Sequence, residues 1–150
     1  MGSGAKFRVV VPGLRSTVHD WRRAMDAPAS ELPDLNPAQK DFAKRFGISE
    51  EEYRRSYLAG LYGERRMQQT AEKLGQIVAE ILSGLGTNLE LLAVKNDFDM
   101  DLWIFRVRKI GDTVVDIPVS DELGADLLDS GLPEYRNDLR RLIEKALRIQ

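Results

Sequence analysis

The residue types that do chemistry are sparse in this chain. It holds one histidine, His19, and no cysteine, which excludes disulfides, thiolate zinc sites and cysteine nucleophiles. His19 stands beside Ser16, Thr17 and Asp20, but the members of a Ser–His–Asp triad converge from distant parts of a fold, not from one turn of chain. That segment reads as a helix surface or cap. Gly2, Gly4 and Lys6 lack the preceding strand and the spacing of a phosphate-binding loop, and residues 2–4 read as a flexible scar without function. Asp97, Asp99 and Asp101 alternate as calcium ligands do, yet the places that then require glycine and a bidentate glutamate hold Leu102 and Arg108. A looser divalent-metal site completed by Asp116 is the basis of one reading, a metal-dependent enzyme using Asp97, Asp99 and Asp101. The competing reading makes them solvated acids in a strand connection that keep the sheet edge from pairing.

A second motif lies at residues 39–58. Phe42, Ala43, Phe46, Gly47, Ile48 and Tyr53 fill the inner and turn positions of a segment that resembles the DNA-binding helix-turn-helix family. The resemblance covers about twenty residues and implies that the start of the second helix enters the major groove. Here that start presents Glu50, Glu51 and Glu52, carboxylates that repel phosphates and that helix capping explains without DNA. The arginine pairs Arg54–Arg55, Arg65–Arg66 and Arg140–Arg141 each lie near acids and read as ion-pairing helix faces. Weak duplex binding, or none, is the expectation.

The elements that must position these residues are legible from pattern. The chain has 150 residues, 43% hydrophobic and 31% charged, the balance of one folded domain. No apolar run reaches the length of a membrane span, and the N-terminus lacks the apolar segment of a signal peptide. The first 25 residues hold Lys6, Arg8, Arg15, Arg22 and Arg23 against Asp20 alone, a local charge of +4 in a chain of net −2. This basic arm begins with a strand over 6–11, continues into a short helix over 17–25 capped by Thr17 and Asp20, and ends in a linker over 26–35 that carries Pro28 and Pro33.

Asn36 and Pro37 open a helix with Phe42, Ala43 and Phe46 as its buried stripe and Gly47 as its stop. Ser49 caps a second helix, with Gly60 and Gly63 predicting a kink or break near residue 63. Beyond it, Met67, Ala71, Leu74, Val78, Ile81 and Leu85 recur at helical spacing, either a core seam or an oligomer contact. Residues 89–95, 102–110 and 113–119 predict three antiparallel strands, with a primed turn at Gly111–Asp112 and Pro118 marking an edge. Ser120 caps a short helix, and Pro133 opens a last one with a basic outer face.

The expected fold is therefore α+β: a helical half, a three-stranded antiparallel meander and two C-terminal helices, with an N-terminal β-containing arm. Residues 1–34 are expected to form the arm and linker, separable from a single domain over 35–150. The leading functional expectation is a non-catalytic protein-binding or assembly subunit of a larger intracellular or virion-like complex. It is placed in the cytoplasm, without cofactor or metal, and its partner is a protein or a second copy. Candidate contact residues are Phe7, Arg8, Arg15, Trp21, Arg22 and Arg23 on the arm, and Met67, Leu74, Val78 and Leu85 on the seam. DNA binding through 39–58 is the second reading, and the metal-dependent enzyme the third.

Overall fold

A computed structural model describes residues 7–10, 16–86 and 88–148. The fold is α+β, in the order β1 (Arg8–Val10), α1 (Val18–Asp26), α2 (Pro37–Arg45), α3 (Glu50–Leu85), β2 (Glu90–Asp97), β3 (Leu102–Lys109), β4 (Thr113–Ser120), α4 (Asp121–Asp129) and α5 (Pro133–Leu147). The chain divides into two compact units, Pro12–Met67, and Met1–Val11 together with Gln68–Gln150. The boundary expected at 34/35 falls inside the first of these.

In the first unit the helix starts follow local capping chemistry. Thr17 and Asp20 form a reciprocal capping box at α1, and Asn36 with Gln39 does the same at α2, where Pro37 occupies the first turn. Gly47 adopts φ +68°, and the Ile48 and Gly47 amides donate to the carbonyls of Ala43 and Lys44, the paired bonds of a Schellman stop that a left-handed residue permits. The Ser49 hydroxyl accepts from the Glu52 amide at 3.1 Å and starts α3.

Three expectations change here. The glycines do not break α3: Gly60 and Gly63 are buried within one continuous 36-residue helix, because tertiary packing outweighs a propensity cost of about 1 kcal/mol per glycine. Phe42 and Phe46 are exposed, and only Ala43 of that stripe is buried. The stretch over 26–35 is not a bare linker, since it makes a 3-10 turn at Ala29–Glu31 and buries Leu32 and Leu35. Ala24, Ala27 and Leu32 share a core cluster with Leu58, Ala59 and Tyr62 of α3. Its prolines shape the backbone, while its two leucines supply the burial.

The second unit is built on a four-stranded mixed sheet in the order β1-β2-β3-β4. The antiparallel meander has the expected strands, with β1 added parallel to β2 of the same chain. Gly111 and Asp112 both take positive φ at the β3–β4 turn, as a primed hairpin requires. Pro118 lies on the edge strand β4, paired with Ile104, where a missing amide donor costs no ladder bond. One sheet face is apolar: Leu91, Val94, Trp103, Phe105, Val107, Ile117 and Val119 are buried. Helix α4 packs on β3 and β4, and α5 on β4 and α4, with Leu139, Ile143 and Leu147 as the inner stripe of α5. The C-terminal half of α3 contributes Leu74, Val78 and Leu82 to the buried set, at the drift of a 3.6-residue period.

Candidate functional site

Helix α1 carries two faces of different character. Its inner face holds the buried Asp20 and Ala24. Its outer face sets Val18, Trp21 and Met25 at i, i+3 and i+7, exposed at 69%, 41% and 42%. The small side chain is thus inside and the large ones outside, the reverse of an ordinary surface helix.

Three arginines hold this helix and the chain after it against α3. Arg55 donates through Nη1 to the carbonyls of Ala24, Met25 and Ala27 at 3.0, 3.0 and 2.8 Å, and through Nη2 to Glu51, so it satisfies the C-terminal carbonyls of α1. Arg54 donates to the Pro33 and Leu32 carbonyls at 2.8 and 3.2 Å. Arg66 donates to Asp20 at 3.4 Å. Burial pushes the Asp20 carboxyl up, but hydrogen bonds from the Thr17 amide and hydroxyl and the nearby Arg66 cation outweigh it and hold the group below the usual carboxylate range. Arg54 and Arg55, read as ion-pairing residues from sequence, are committed chiefly to backbone carbonyls.

Among the expected contact residues, Trp21 and Arg22 are exposed, and Arg23 lies over the Tyr62 ring at 4.0 Å. Arg8 is exposed on the sheet, while Arg15 lies outside the described residues. Phe7, Met67, Leu74 and Val78 are buried within the chain itself and offer a partner no surface. Leu85 is half-buried and lines a cleft of about 370 Å³ with Leu89, Lys109, Ile110 and Leu147. Sequence reasoning placed Val18 and Met25 on a helix but missed that they face out. The available signal was Ala24 and Ala27, a second and smaller apolar set suited to close helix contact.

The solvent-facing side of the sheet carries the other distinctive surface. Arg8, Val10, Ala93, Lys95, Ile104, Arg106 and Asp116 line a cleft of about 270 Å³ across all four strands. Arg106 grips Asp116 through two hydrogen bonds of 2.9 and 3.2 Å. Those bonds hold the Asp116 carboxyl below its usual range and raise the Arg106 guanidinium.

The acidic loop between β2 and β3 is pinned in place. The Met100 amide donates to the Asp97 carboxylate at 3.2 Å, the Asp121 amide to the Asp101 carbonyl at 3.0 Å, and the Asn96 side-chain amide to Asp121 at 3.3 Å. No group of three or more potential ligands among the described residues is placed to hold a metal ion, and Asp116 is paired with Arg106 in mid-strand. At the helix-turn-helix-like segment, Glu50, Glu51 and Glu52 are exposed, and Phe42 stacks on Phe46 at 4.5 Å and edge-on to Tyr53 at 5.8 Å. No helix among the described residues is long and apolar enough to cross a membrane. No protein-family model matches the chain, and neither a curated protein nor a solved structure matches it at a significant level.

Proposed function

We propose that this protein is a non-catalytic protein-binding or assembly subunit, with the outer face of α1 as a contact surface. The observation that carries the reading is the outward stripe of Val18, Trp21 and Met25. Contiguous exposed apolar side chains mark interaction surfaces more often than isolated ones do, and anchors at i, i+3 and i+7 are the pattern with which a helix enters a partner's groove. Tryptophan is among the residues that most often dominate such contacts. The Arg55 bonds to the last carbonyls of α1 and its cap fix that helix before binding, which lowers the ordering cost of association. The test places a photo-cross-linking amino acid at Trp21 in cells that make the protein. Discrete protein adducts are expected, either to a second copy or to another chain, and they disappear when Val18 and Met25 become serine. Diffuse labelling no different from that at an exposed control such as Glu122 would refute the reading.

A further inference from the structure

We propose that copies of this protein associate head to tail, the acidic β2–β3 loop of one copy docking on the basic open sheet face of the next. This rests on the assembly reading above and names the partner, a second copy. The loop alternates acids with large apolar side chains: Asp97, Asp99 and Asp101 frame Phe98 and Met100, which are exposed at 49% and 65%. The face offers the complementary chemistry. Among the described lining residues, Arg8, Lys95 and Arg106 stand on three adjacent strands against one carboxylate, Asp116, with Val10, Ile104 and Ala93 beside them. Opposed charges steer the encounter, and the interleaved apolar groups supply burial once it forms.

The loop cannot serve its own face, because its bonds to Asp121 and its internal turn hold it at the end of the sheet. Both surfaces belong to the same compact unit, so every copy presents a donor loop and an acceptor face. A contact between two different patches is heterologous and builds rings or open chains. The face suits an acidic, apolar peptide loop better than nucleic acid, because among the described residues none of the side chains lining its cleft is an aromatic ring on which bases would stack.

The experiment uses the full chain and two double variants. Arg8→Glu with Lys95→Glu destroys the face, and Asp99→Lys with Met100→Ser destroys the loop; all four side chains are exposed, so native circular dichroism is expected in both. Light scattering across a concentration series should give mass rising above 17.0 kDa for the wild type, with association weakened by about tenfold or more in either variant. Mixed together, the two variants retain one intact face and one intact loop, and they should form a discrete heterodimer that grows no further. Arg8→Ala with Lys95→Ala should weaken association in the same direction, which covers misfolding of the charge-reversed face.

A wild type that stays monomeric at every concentration overturns the proposal, as does a mixture that forms no heterodimer. Retention of DNA or RNA by the face, without self-association, would assign it to a polyanion and overturn it as well. Cross-linking at Trp21 is read in cells and on another surface, so failure here leaves that reading standing, and failure there leaves this result intact.

Discussion

Asp20 closes the first turn of α1 and, through Arg66, ties that helix to α3. Because its folded pKa lies below the ordinary value, its stabilisation is fully present above the unfolded carboxylate pKa of about 3.9 and is lost as pH falls through the lower folded value. Asp20→Asn keeps the shape and removes the charge. At neutral pH the variant should be less stable by about 1–2 kcal/mol, the scale of a cap with a charge-assisted hydrogen bond. Denaturant titrations across pH should show the gap between wild type and variant closing below about pH 4, and a gap that persists into strong acid would rule out this role. Arg55 bears on the same helix in another way. Its guanidinium spreads one side chain over three carbonyls, a fork that lysine, with its single compact ammonium, does not reproduce.

The docking of β1 depends on one glycine in α3. A Cβ built at Gly75 would come within 2.2 Å of the far edge of the Phe7 ring, so the ring lies directly on the helix backbone. At an open helical site, glycine to alanine is favourable by about 1 kcal/mol. Here Gly75→Ala should instead destabilise by about 1–3 kcal/mol through overpacking. In a Phe7→Ala background the clash is gone and the same change should be neutral or stabilising, a coupling that thermal or denaturant melts of the four proteins measure. Stabilisation by Gly75→Ala in the wild-type background would refute the contact.

The same contrast between local and tertiary cause sets what was legible in the sequence. Thr17–Asp20, Asn36–Pro37, Gly47, Ser49, Ser120 and Pro133 mark helix ends through bonds or backbone constraints within one turn, and the helices begin or end there. Gly60 and Gly63 misled because intrinsic propensity is a weak force beside burial. Phe42 and Phe46 misled because hydrophobicity alone does not say which side of a helix meets the core. Of the candidate surfaces, Trp21 and Arg8 stand out in the sequence, and both side chains are exposed. The open sheet face does not, since it depends on a register that brings Arg8, Ala93, Arg106 and Asp116 into one row.

Across the whole chain, the sheet joins pairings of very different reach. β3 and β4 meet around a turn of three residues, Ile110–Asp112, whereas Arg8 of β1 pairs with Ala93, eighty-five residues later. Loop closure makes such a distant pairing slow relative to a hairpin. Pulse-labelled hydrogen exchange during refolding should therefore protect the β3–β4 hairpin first and the β1–β2 ladder last, and simultaneous protection would show a single concerted step. The order matters most during synthesis. The first strand leaves the ribosome before its partner has been translated, and at about 5–20 residues per second the wait is about 4–17 s. For that interval Val9 and Val10 lack the strand they later pair with, and for most of it Phe7 lacks the helix backbone at Gly75 on which it later lies. This strand is thus an unpaired β-former that chaperones or neighbouring nascent chains meet before its own sheet does.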